Sequence, residues 1–374
     1  MMKTVILICT SVALALSAGT AGATTYTVID LGTLGGQHSM ALGINESGQV
    51  TGEAEPPPVS RARAFVWDSG VMTELELRPG DDHSRGMAIN ASGQVAGFSG
   101  YEIIDPWTYE VVPYNTAVLW TGGVVQTLGT LGGTTSEAWG LNDSGTVVGW
   151  SRTASGAIHP FVWDSGVMTD IGVFGGYYGY AWGVNESGQV AGSSSDNDNQ
   201  VRPFIWNSGV MTDLGTLGGP QGEGYGLNDS GQVVGWADNA DSDAHAFLWD
   251  SGVMTDLGTL DSYYSIAYGV NNVGQVVGYA GTATGTAAGF VWEDGVMYDL
   301  NTLTVGASPW QIQYALSIND SGQIAAYGTN GSVYHGLLLN PVNAVPAPGA
   351  GLLVLLGTGF VGAMRKLGIS HYRR

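Results

Sequence analysis

One pattern is written seven times along this chain, and it constrains the fold more than any other feature. Its first half reads small–large–Gly–aliphatic–Asn, then a turn, then Gln-Val and Gly in the most regular copies. The asparagine recurs at Asn45, Asn90, Asn142, Asn185, Asn228, Asn271 and Asn319, with spacings of 45, 52, 43, 43, 43 and 48. The second half reads Phe-aliphatic-Trp, a turn, then Val-Met-Thr-Asp-Leu-Gly. Its tryptophan is Trp67, Trp120, Trp163, Trp206, Trp249 and Trp292, and Leu339 takes that place in the last copy. Each half is two short apolar segments around a Gly turn, which is a hairpin signal. Asn-Asp-Ser-Gly suits a type I turn closed by a glycine at positive φ. Nothing between Thr24 and Asn340 has a sustained helical period.

Two hairpins per copy give four strands, the content of one propeller blade. A solenoid of stacked hairpins is the competing architecture, and the ends of the array decide between them. The array begins at Tyr26-Thr27-Val28-Ile29-Asp30 with the last strand of a repeat. It finishes at His335-Gly336-Leu337-Leu338-Leu339 with a Phe-x-Trp-type strand and no last strand after it. The two leftovers complete one blade and remove the free edge, whereas a solenoid wants polar caps. The expectation is an all-β fold: a single seven-bladed β-propeller of four-stranded blades over residues 24–341, closed by pairing of the N-terminal strand with the last strand.

The flanks read as addresses. Residues 1–23 form a secretory signal, with Lys3, an apolar stretch and Ala21-Gly22-Ala23 as the cleavage pattern. The only cysteine, Cys9, lies inside it, so no disulfide holds the mature chain. Residues 342–374 contain Val345-Pro346-Ala347-Pro348, an uncharged run from Gly349 to Met364, and then Arg365, Lys366, Arg373 and Arg374. This tail resembles the PEP-CTERM sorting signal of Gram-negative bacteria, with Ala347 where that motif has Glu. The resemblance implies a short transmembrane segment, processing by an exosortase-type enzyme, and delivery to the cell surface or extracellular matrix. A plain C-terminal anchor is the other reading of the same segment. His245-Ala246-Phe247, with His159-Pro160-Phe161, Arg63-Ala64-Phe65 and Arg202-Pro203-Phe204 as variants, resembles the extracellular HAF repeat. That resemblance implies an exported protein of undefined activity. Trp67-Asp68, Trp163-Asp164 and Trp249-Asp250 match the WD40 dipeptide loosely.

Charge narrows the partners. The chain carries 32 acidic and 11 basic side chains. Without both flanks it keeps only Arg61, Arg63, Arg78, Arg85, Arg152 and Arg202 against all 32 acids, a formal charge of −26. Such a surface excludes nucleic acid and favours neutral or cationic partners. Membrane contact is expected only through the tail.

Few residues break the repeat. From the Gly ending the first hairpin to the Phe opening the second is 12 residues in four copies, but Gly97 to Val118 is 21. The extra length brings Tyr101, Trp107, Tyr109 and Tyr114 together with Glu102, Asp105 and Glu110. Aromatics beside carboxylates suit a neutral sugar ring, and a non-repeated loop is where function is grafted; a flap packed onto its blade is the alternative. A second irregular segment runs from Val305 to Gln313 with Trp310. The series Arg63, His159, Arg202, His245 and His335 reads as blade-internal strand capping, the seven asparagines as turn residues, and the tryptophans as inter-blade core. Asp196-Asn197-Asp198-Asn199 and the run Asp238 to Asp243 read as solvated loops with at most weak Ca²⁺ binding; no cofactor is expected. No nucleophile triad, phosphate loop or metal-spaced set is present. The expected role is therefore an exported, non-catalytic surface or matrix propeller that binds polysaccharide. An extracellular glycan-cleaving enzyme is the alternative, recognisable by paired carboxylates that break the repeat and face a pocket.

Overall fold

The computed structural model describes residues 23–58, 61–104 and 111–342. Trp107, Tyr109 and the sorting residues Val345, Pro346, Ala347, Pro348, Arg365 and Lys366 lie outside the described residues, as does all of the leader except Ala23. Among the described residues no helix is long and apolar enough to cross a membrane.

Each copy of the repeat folds into one four-stranded antiparallel sheet. The inner strand carries the small–large–Gly–aliphatic pattern and ends at the asparagine. Its neighbour carries the Gln-Val-x-Gly segment, the third strand is Phe-x-Trp, and the outer strand is Val-Met-Thr-Asp. The third and fourth copies are joined into one eight-stranded sheet by a parallel bridge, Ile158 to Tyr178. The seventh copy has no outer strand of its own in sequence order. Tyr26–Asp30 fills that place, pairing antiparallel with Tyr334–Pro341 from Tyr26↔Pro341 to Asp30↔Leu337.

A bulge in every inner strand accompanies the recurring small residues. The register slips between Ala41 and Gly43, and at the equivalent site in other copies. The slip presses a carbonyl toward the second strand. A Cβ on Gly235 would stand 1.9 Å from the Glu223 carbonyl oxygen, so only glycine fits there.

The core lies between sheets. Phe65, Phe161, Phe204, Phe247 and Phe290 are completely buried, and Trp120 nearly so. Each apolar cluster combines two neighbouring copies. Ala96, Ala117 and Leu119 of the second copy pack on Phe161 and Trp163 of the third. Ala325 and Leu338 of the seventh pack on Ala41, Phe65 and Trp67 of the first. Each buried aromatic contributes roughly 1.5–3 kcal/mol, and part of that depends on the neighbouring copy. The inner strands converge on an axial cavity of about 250 Å³ lined by all seven copies.

Candidate functional site

The inner strands line the axial cavity and end at the asparagines, and each end has its own chemistry. At the rim the seven asparagines are buried and use both ends of the amide. Asn45 Oδ1 accepts the N–H groups of Ser47 and Gln49, which closes its own turn. Its Nδ2 donates 2.9 Å to the carbonyl of Asn90 in the next copy. The same donation runs Asn90 to Asn142, Asn142 to Asn185, Asn185 to Asn228, Asn228 to Asn271 and Asn271 to Asn319. Asn319 then donates 3.0 Å to the Asn45 carbonyl, and the circuit closes. The fold is a β-propeller.

No family model and no curated protein matches the chain. Solved structures of similar fold include a chain of the mitotic checkpoint complex, 13% identical with a TM-score of 0.48, covering 90% of this chain and 99% of that one. Another is YCF48 bound to D1 peptide, at 14% identity and a TM-score of 0.48, covering 87% of this chain and 98% of that one. A third is the fungal lectin of Aleuria aurantia, a six-bladed propeller with a novel fucose recognition mode. It is 11% identical with a TM-score of 0.38, covering 72% of this chain and 93% of that one. At these identities the likeness is one of fold.

The mouth of this propeller is aromatic. The position three residues before each rim asparagine holds Leu42, Met87, Trp139, Trp182, Tyr225, Tyr268 and Leu316, all lining the axial cavity. The rings meet across copies: Trp139 stacks on Trp182 with centroids 3.8 Å apart, Trp182 meets Tyr225 at 4.8 Å, and Tyr225 meets Tyr268 at 5.1 Å. The second strands continue the series. Trp150 lies 6.3 Å from Trp139, Tyr279 4.6 Å from Tyr314, and Tyr314 4.7 Å from Tyr327. With Tyr180 beside the Trp139–Trp182 pair, a crescent of rings spans the third to seventh copies.

The first and second copies supply charge instead. Arg85 grips Glu53 with two bonds of 2.7 and 2.8 Å, the fork geometry that makes such pairs strong. Arg61 pairs with Asp82 at 3.1 Å and with Glu102. Glu137 accepts from Asn115 Nδ2 at 2.6 Å and from the indole N–H groups of Trp139 and Trp150 at 3.0 and 3.3 Å. Arg61, Arg85, Glu102, Pro113, Asn115, Glu137, Trp139 and Trp182 share a pocket of about 580 Å³. Glu223, two copies further round, has its carboxyl pushed above the ordinary range by burial, with a hydrogen bond from the Tyr225 hydroxyl pulling the other way.

The sequence-predicted loop forms one wall of that pocket. The hairpin of Val95–Ile104 and Val111–Thr121 is longer than its equivalents in the other copies, and its Glu102, Pro113 and Asn115 line the pocket. Tyr101 and Tyr114 are cross-strand partners stacked at 5.4 Å and nearly parallel, with Tyr101 39% exposed. They pack on each other, whereas Glu102, Pro113 and Asn115 face the pocket. Trp310 stacks on His335 at 4.7 Å, away from the axis. The histidines of the repeat tie third strand to outer strand: His159 to Asp170 at 2.8 Å, His245 to Asp256 at 2.9 Å and His335 to Asp30 at 2.8 Å. In the acidic loops Asp196 and Asn239 accept amide hydrogens of their own turns. Among the described residues no group of three or more His, Cys, Asp or Glu is arranged to hold a metal.

The aromatic mouth escaped the sequence reading because its positions were grouped as "large". The available signal was the change of residue type down that column, from Leu and Met to Trp and Tyr. The column two residues earlier varies more widely still: Met40, Arg85, Glu137, Tyr180, Glu223, Ile266 and Tyr314.

Proposed function

We propose that the seven copies are the seven blades of one propeller, and that the protein is an exported, non-catalytic binding module of the cell surface or matrix that holds polysaccharide in its aromatic mouth. The blade number is supported by the seven-membered asparagine circuit and by the pairing of Tyr26–Asp30 with Tyr334–Pro341. Export, transient anchoring and processing by an exosortase-type enzyme rest on residues 1–23 and 342–374. The observation that carries the binding role is the crescent of stacked rings from Trp150 round to Tyr327. Ring faces supply flat apolar area at little entropic cost, and the carboxylates and amides beside them supply directed polar contacts. The acidic surface selects against anionic polymers.

A glycan array followed by calorimetry tests this reading. Trp182→Ala is expected to weaken the best ligand at least about tenfold, or ~1.4 kcal/mol. Alanine at Trp107 and Tyr109 measures how far the lengthened hairpin takes part. Binding that is absent from every glycan, or indifferent to Trp182, defeats the proposal. One observation favours the alternative of a glycan-cleaving enzyme: Glu137 and Glu223 both break the repeat at the same inner-strand position. Release of reducing ends from a polysaccharide panel, abolished by Glu223→Gln, would replace the binding role with that one.

A further inference from the structure

In four copies the third strand carries a basic side chain two residues before its buried Phe or Leu, paired with an acid of the outer strand. Arg63 meets Glu74 at 3.4 Å, His159 meets Asp170 at 2.8 Å, His245 meets Asp256 at 2.9 Å and His335 meets Asp30 at 2.8 Å. The sixth copy has the acid without the base. Asp299 stands opposite Phe290 in the register that Asp170 and Asp256 hold opposite Phe161 and Phe247, but the position of the histidine is Ala288. Asp299 Oδ1 accepts the backbone and side-chain N–H groups of Asn301, both at 2.8 Å. Its Oδ2 has no hydrogen-bond partner among the described residues.

Ala288 and Asp299 line instead a pocket of about 520 Å³ between the sixth and seventh copies. Trp310, from the irregular segment that joins the two copies, lines it as well, with its indole braced on the His335 ring at 4.7 Å. The hydroxyls of Thr282, Thr284 and Thr286 add a cluster of oxygens to the lining, 2.9, 3.0 and 3.1 Å from one another.

We propose that this pocket binds one neutral sugar ring, as a site separate from the axial mouth. Its lining has a single carboxylate and no basic side chain, so an anionic ligand would meet no counter-charge. A sugar offers hydroxyl donors to Asp299 Oδ2 and to the threonine oxygens, and an apolar C–H face to the indole. The role proposed for the mouth is not needed here, because no residue lines both cavities.

Saturation-transfer NMR on the full chain tests the site with the methyl glycosides of glucose, galactose, mannose and fucose, and with imidazole at pH 6 as a cationic probe. At least one glycoside is expected to bind. Ala288→His puts the repeat's own side chain beside Asp299 and should weaken that glycoside at least about tenfold. Asp299→Asn keeps an acceptor for the Asn301 N–H groups and should weaken it by a similar factor with the circular dichroism unchanged; it decides the matter if Ala288→His fails to fold. Trp182→Ala, in the mouth, should leave the affinity within twofold. Glycoside binding that survives Asp299→Asn, or that Trp182→Ala abolishes, overturns the pocket and leaves the role of the mouth standing. Imidazole bound with no glycoside overturns the sugar and makes Asp299 a cation site. Binding of none of the probes overturns the pocket, while the mouth is still judged by Trp182 on polymers.

Discussion

The two ends of the axial channel are built from the same seven strands, yet one obeys the repeat and the other breaks it. At the rim every copy contributes the same side chain doing the same two jobs, one inside its turn and one toward its neighbour. At the mouth, five residues earlier on those strands, the copies contribute Met, Arg, Glu, Tyr, Glu, Ile and Tyr. Uniformity follows where each blade must meet an identical blade. On the proposed binding role, variety follows at the mouth because a partner outside the molecule has no sevenfold symmetry. The rim should therefore govern stability and leave binding untouched, and the mouth should do the opposite.

The largest expected effect comes from breaking the seam on which both ends depend. Thr25 and Leu31 bond to the last strand, so by alternation the Ile29 N–H faces it as well. Ile29 is 38% exposed, so proline there removes a ladder bond with little loss of core. Ile29→Pro is expected to cost about 3 kcal/mol in urea unfolding. An unchanged midpoint would mean that the seam does not close the ring. Next is Asn228→Ala, which strands the carbonyl of Asn271 and the amide N–H of Gln232. A loss of about 1–3 kcal/mol is expected, with ligand affinity within twofold. A large drop in affinity would erase the division between rim and mouth.

The smallest effect tests the mouth from the stability side. Folding raises the Glu223 pKa through burial. The stability tied to its protonated form is complete below the ordinary glutamate range and is lost as pH rises through the elevated value. The Glu223→Gln variant should therefore melt above the unaltered protein at neutral pH, with the gap closing near pH 4. A variant that melts lower at pH 7 would show that the carboxylate is compensated in the folded state.

Hairpins, turn residues and the two half-sheets at the extremities were legible because each is a local pattern repeated at a known period. The second job of the asparagines was not legible, since a bond from Asn45 to Asn90 spans a whole copy and leaves no mark in local spacing. Sequence length also revealed the extra residues after Gly97, but not where they sit. That Glu102, Pro113 and Asn115 line the pocket follows only once the second strand is known to run outward to the mouth. That Tyr101 and Tyr114 are cross-strand partners stacked on each other was likewise not legible in the spacing. The crescent itself was hidden by a coarse grouping, because Leu42 and Trp139 fill the same packing role at that position while differing in what they offer a ligand.

The seam also sets Thr25 and Val342 at one end of the propeller. Thr25 and Val342 lie side by side, with the Val342 N–H donating 2.7 Å to the Thr25 carbonyl. Both sit at the asparagine end, where Gln323 of the seventh turn reaches Asn340 at 2.6 Å. Val342 therefore lies at the opposite end of the propeller from the tryptophans and tyrosines of the mouth.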